Sequence, residues 1–151
     1  MSLQVEVEAL RRVPLFRGVD PSRLRLLAFI SERISFQDGE YLCRQGERGN
    51  TAYILLSGAA DVVLESAGGA RRLAHLHSND IVGEISILID VPRTASVIAA
   101  GEVTALAISK DNFLKMLTRF PEMSLEVMRV LAHRLERTTR DLAQAGGQAQ
   151  R

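Results

Sequence analysis

The spacing of apolar residues changes period twice along the chain. From Val5 to Ser31 the apolar positions recur at helical spacing, with Leu24, Leu27, Ala28 and Ile30 on one stripe and Leu15 and Phe16 ahead of it. Asp20-Pro21-Ser22 reads as a helix start, an N-cap residue followed by proline at the first helical position. From Glu32 to Ser109 short apolar runs are cut by Asp38-Gly39, Gly46, Gly49-Asn50, Ser57-Gly58, Gly68-Gly69, Ser78-Asn79-Asp80 and Gly101. This predicts strands near 32–37, 40–43, 51–57, 59–65, 70–76, 94–100 and 102–109. Helical spacing then returns. Ser109 is placed to cap a helix through about Arg119, and Pro121 to open a longer one through about Ala143, with Gly146-Gly147 ending it. Many short strands between helical ends predict a mixed α+β fold: an antiparallel, jelly-roll-like β-roll flanked by N-terminal helices and two C-terminal helices.

The stretch Ile81 to Ala95 stands apart from this pattern. It offers Gly83, Glu84, one short apolar helical turn and then Arg93, nine residues after the glutamate. Helix N-terminal amides and a guanidinium can share one phosphate. A carboxylate accepts hydrogen bonds from sugar hydroxyls but repels that phosphate, so Glu84 must face a different part of the ligand from Arg93. The residue types therefore suit a ligand with both a diol and a phosphate.

Gly83, Glu84, Ser86, Ile87, Leu88, Pro92, Arg93, Thr94 and Ala95 together resemble the phosphate-binding cassette of cyclic nucleotide-binding domains. Val82 departs from that pattern, where the family favours an aromatic residue. Phe36-x-x-Gly39-Glu40, Gln45-Gly46-Glu47, Tyr53-Ile54 and Ser57-Gly58 resemble the first half of the same β-roll, and the likeness covers roughly residues 12–143. It implies residues 1–11 as an N-terminal helix or tail, 12–143 as the domain and 144–151 as a loose tail.

The resemblance also implies roles. Arg93 would pair with the cyclic phosphate, together with Gly83 and the amides of Ile85 and Ser86. Glu84 would accept from the ribose 2′-hydroxyl. Thr94 permits either base. Val62, Leu73 and Ile81 are the apolar candidates for the purine. From Phe113 onward the chain resembles the last two sensor-domain helices of the catabolite activator protein group. There Thr138 and Thr139 would contact the adenine amino group, one from each subunit, with Arg134 near the nucleotide. The expected ligand is accordingly cAMP before cGMP, with no further cofactor.

Met128, Leu131, Leu135, Thr138 and Leu142 recur at spacings that form a heptad seam, which predicts a homodimer through the last helix. The arginines between 129 and 140 alternate with acids and read as a solvated helix face. The chain stops where that group's helix-turn-helix begins, so DNA binding by this chain alone is not expected.

Composition narrows the remaining classes. The 151 residues suffice for one domain, and 46% hydrophobic with 25% charged residues is globular. A net charge of +1 supplies no global field for nucleic acid or anionic membrane. No signal-peptide core or membrane-length apolar run is present, which makes a cytoplasmic location the expectation and a membrane partner unexpected. Cys43, the single cysteine, reads as a small strand residue. The competing enzyme reading is a cupin-like metal site on His75 and His77, but Glu84 is too distant for the usual cupin spacing. The better reading of the two histidines is a pair of polar residues on an exposed strand face. The expectation is a sensor with no catalytic residues, serving a transcription regulator, or alternatively a larger channel, transporter or enzyme, through movement of its last helix.

Overall fold

A computed structural model describes residues 3–149; the side chains of Leu3, Leu15, Glu84, Ile85 and residues 146–149 lie outside the described set. The chain begins with α1 (Leu3–Arg11), a 3-10 turn (Pro14–Phe16) and α2 (Pro21–Ile30). Then come β1 (Glu32–Phe36), β2 (Tyr41–Cys43), β3 (Thr51–Ser66), β4 (Gly69–Leu76), β5 (Ile81–Val82) and the short α3 (Glu84–Leu88). The chain continues through β6 (Ser96–Ser109), α4 (Lys110–Arg119) and α5 (Pro121–Ala149). The mixed α+β roll expected from the sequence is the observed fold.

All strand pairs are antiparallel, along the path β1-β6-β3-β4, with β2 on β6 and β5 on β3. The runs expected as separate strands at 51–57 and 59–65 are one continuous strand, and so are those at 94–100 and 102–109. Gly58 and Gly101 bend these strands without ending them. The β3–β6 register shifts on both sides of Ser57, and Gly58 takes a φ of 89°. A Cβ on Gly58 would lie closer than 3.0 Å to the carbonyl oxygen of Glu102. The bend thus needs glycine for both its φ and the close backbone approach.

Strand alternation feeds two cores. On β3, Ala52 and Ile54 face the helices, while Tyr53 and Leu55 face the interior of the roll. On β6, Leu106 and Ile108 join the helical core, and Val103 and Ala105 join the roll. Phe16, Phe113 and Met123 complete the helical core, which ties the N-terminal helices to α4 and α5. Cys43 is buried in β2 within the roll core, as expected.

Helix starts follow the local signals with one exception. The Ser109 hydroxyl accepts from the Asn112 amide at 3.2 Å, and Pro121 opens α5. Asp20 stands at the N-cap of α2 but its side chain makes no cap hydrogen bond, leaving Pro21 as the operative signal. α5 runs through Gly146 and Gly147 to Ala149 rather than stopping near Ala143. A glycine costs a helix about 1 kcal/mol relative to alanine, which weakens it without being a stop. Among the described residues, no helix is long and apolar enough to cross a membrane.

Candidate functional site

The residues from Pro92 to Ser96 are placed by the loop between β2 and β3. Arg93 donates its backbone N–H to Glu47 O at 2.8 Å, and Gly46 donates to Arg93 O at 2.8 Å. Arg48 and Pro92 form an isolated antiparallel bridge. Gln45 donates its backbone N–H to the fully buried Ser96 hydroxyl at 2.9 Å. The main-chain bonds of this ladder by themselves hold the backbone of Arg93 in place.

The Arg93 side chain turns inward and is only 8% exposed. Its Nη1 donates to Gly83 O at 3.0 Å and its Nη2 to Thr51 O at 2.6 Å. A buried guanidinium is costly unless hydrogen-bonded, and these carbonyls supply partners without neutralising the charge. Gly83, at φ 88°, lies directly against it; a Cβ there would fall closer than 3.0 Å to Nη1 and to Thr51 O. Gly83 is followed at once by the first residue of α3, so the start of that helix and the guanidinium are adjacent. The side chains of Glu84 and Ile85, the other expected cassette contacts, lie outside the described residues.

These groups border a cavity of about 760 Å³. Gly83, Ser86, Arg93 and Thr94 form its cassette wall. Val62, Leu76, Ile81, Val82 and Val97 supply an apolar wall from the roll. The third side comes from α5, with Val130, His133, Arg134 and Arg137. A volume of this order suits a small organic ligand. Its lining combines one buried cation with apolar strand residues, a surface for an anionic group attached to a flat apolar one.

The other expected residues divide. Arg134 lies on the cavity, and so do the purine candidates Val62 and Ile81. Leu73 does not line it and is 49% exposed; it falls at the β3–β4 register shift, between Arg72, which pairs with Val63, and Ala74, which pairs with Val62. Thr138 and Thr139 are exposed on α5 and do not line the cavity within this single chain. Sequence reasoning missed His133 and Arg137. Both follow the helical repeat from Val130, so the direction of α5 would have indicated them had its docking been known.

His75 and His77 are exposed, as expected, but they also border the cavity. His75 Nδ1 is 2.7 Å from Asp61 Oδ1, its cross-strand neighbour. The Asp80 carboxylate accepts from the His77 backbone N–H at 2.9 Å within the turn that leads to β5. Among the described residues, no group of three His, Cys, Asp or Glu side chains could hold a metal ion.

Comparison with known proteins agrees with the geometry. The family described as cyclic nucleotide-binding domain matches residues 33–120. A CRP-like cAMP-activated global transcriptional regulator of Mycobacterium tuberculosis is 34% identical over 137 residues, covering 90% of this chain and 61% of that protein. A cAMP-dependent protein kinase regulatory subunit of Dictyostelium discoideum is 34% identical over 113 residues, covering 72% of this chain and 35% of that one. The crystal structure of Thermus thermophilus catabolite activator protein superposes with a TM-score of 0.81 at 28% identity, over 88% of this chain and 63% of that one. The chain therefore spans less than two thirds of the length of these relatives. The matching family is one of regulatory binding domains, not of enzymes, which removes the cupin-like reading of His75 and His77. With the roll, the cassette and the sequence match in agreement, this chain belongs to the cyclic nucleotide-binding domain family.

Proposed function

We propose that the cavity binds a cyclic nucleotide, cAMP in preference to cGMP, and that binding repositions α5. The observation that carries this reading is Arg93, a buried guanidinium beside the start of α3 on the wall of a cavity with an apolar face. The phosphate would take charge-assisted hydrogen bonds from Arg93 and from the amides of Ile85 and Ser86. Glu84 would hold the ribose 2′-hydroxyl, and Val62 and Ile81 would pack on the purine. Arg134, Thr138 and Thr139 would complete the site from α5.

The preference for cAMP rests on the proposed adenine contacts of Thr138 and Thr139 and on the mycobacterial and Dictyostelium relatives, a cAMP-activated regulator and a cAMP-dependent kinase subunit. Because α5 lines the cavity, a ligand that contacts it differently in two helix positions biases their populations by that difference. Met128, Leu135 and Leu142 are exposed along α5, which supports a homodimer through this helix. The output is transcriptional regulation in the first reading. The Dictyostelium relative favours a second one, in which the same sensor regulates another protein. We place the domain in the cytoplasm, binding neither DNA nor membrane by itself.

Calorimetry with cAMP and cGMP tests the reading. Binding of cAMP more tightly than cGMP is expected. No heat from either ligand at about 100 μM, where even a dissociation constant of that size corresponds to roughly 5 kcal/mol, rejects it.

A further inference from the structure

We infer that Gly49 is a positioning residue for the phosphate-binding side chain: it is glycine to leave room for the Arg93 guanidinium. The inference rests on the proposed role of Arg93 toward phosphate. A Cβ on Gly49 would lie closer than 3.0 Å to Cζ, Nε and Nη2 of Arg93, and those are its three nearest atoms. Gly49 is not among the residues with a left-handed φ, so its backbone conformation is open to any amino acid. The space it leaves is the one feature of its surroundings that demands glycine.

The backbone around Gly49 has little freedom to yield. Asn50 O accepts from the Lys110 N–H at 2.7 Å, and Glu47 O accepts from the Arg93 N–H at 2.8 Å. Arg48 bridges to Pro92, and Thr51 pairs with Ser109 in the β3–β6 ladder. With the loop held on both sides, a methyl group at position 49 displaces the flexible guanidinium instead. Arg93 then leaves the carbonyls of Gly83 and Thr51 that aim it at the cavity. Gly83 limits the guanidinium on the Nη1 side and Gly49 on the Nε, Cζ and Nη2 side, so two glycines from different segments define one slot. Gly49 itself does not line the cavity; it acts on ligand only through Arg93.

A double-substitution cycle tests this, read by calorimetry with cAMP and by the thermal midpoint without ligand. Gly49→Ala is expected to weaken cAMP about tenfold or more, the scale of one charge-assisted hydrogen bond, and to lower the midpoint. In an Arg93→Ala background the same substitution leaves both unchanged. Gly68→Ala serves as the control, because Gly68 has no left-handed φ and nothing within 4 Å of its Cβ position. Gly49→Ala with wild-type affinity overturns the inference. So does an equal loss with and without the Arg93 guanidinium. If Gly49→Ala fails to fold, recovery of folded protein in the double variant supports the inference and continued failure overturns it. A wild type that binds neither cAMP nor cGMP rejects the phosphate reading of the site. The ligand-free midpoint cycle then still decides whether Gly49 accommodates Arg93.

Discussion

Arg93 Nη1 donates to the carbonyl of Gly83 at 3.0 Å, which holds the guanidinium against the residue that precedes α3. One side chain thereby links the segment after α3 to the segment before it. The same guanidinium reaches Thr51 at the start of β3, so the cassette is closed on the roll.

Replacing Arg93 tests the principal contact. Arg93→Ala is expected to weaken cyclic nucleotide binding by 10- to 100-fold or more, since charge-assisted hydrogen bonds are worth about 1.5–3 kcal/mol each. Calorimetry on both proteins is the measurement. Equal affinities would remove Arg93 from the site.

Base selection depends on α5. Thr138→Val should weaken cAMP more than cGMP, with no loss of thermal stability because Thr138 is exposed. Thr138 does not line the cavity within one chain, so the effect should vanish at protein concentrations where the dimer dissociates. A larger effect on cGMP would shift selectivity to Thr94.

The α5 stripe is testable separately. Leu135 is 68% exposed, and Leu135→Glu should convert a dimer to a folded monomer in sedimentation experiments. An unchanged sedimentation coefficient in a dimeric protein would exclude this face. Leu131 is the weaker probe, because it packs partly against the helical core.

The bend in β3 has a stability consequence. Gly58→Ala combines a left-handed φ with a clash against the Glu102 carbonyl, and should cost about 1–3 kcal/mol in urea denaturation. Stability equal to wild type would mean that the bend does not need glycine.

Alkaline pH probes the roll interior. Burial is the largest cause raising the Tyr53 hydroxyl above its ordinary value near 10; negative charge at Cys43 adds to this and Arg93 opposes it. The folded state thus retains the proton more tightly than the unfolded chain. This contribution to stability is full below about pH 10 and is lost as pH rises through the folded-state value. Tyr53→Phe should flatten that part of the stability profile, and an unchanged alkaline slope would assign the loss elsewhere.

Much of this was legible in the sequence because it is local. Alternation along residues 51–55 and 103–108 separates the two cores, since side chains of a strand alternate faces. Ser109 and Pro121 mark helix starts through caps that act within one turn. Gly83, Ser86, Arg93 and Thr94 lie in one short segment, and they border one cavity. Other features required the tertiary structure because their causes join distant segments. Gly58 and Gly101 look like strand ends, and only the β3–β6 pairing carries the strands through them. His133 and Arg137 reach the cavity because α5 docks there, while Thr138 and Thr139 do not. Gly49 reads as a turn residue in sequence. Its fit to the Arg93 guanidinium depends on a close approach that no local periodicity records.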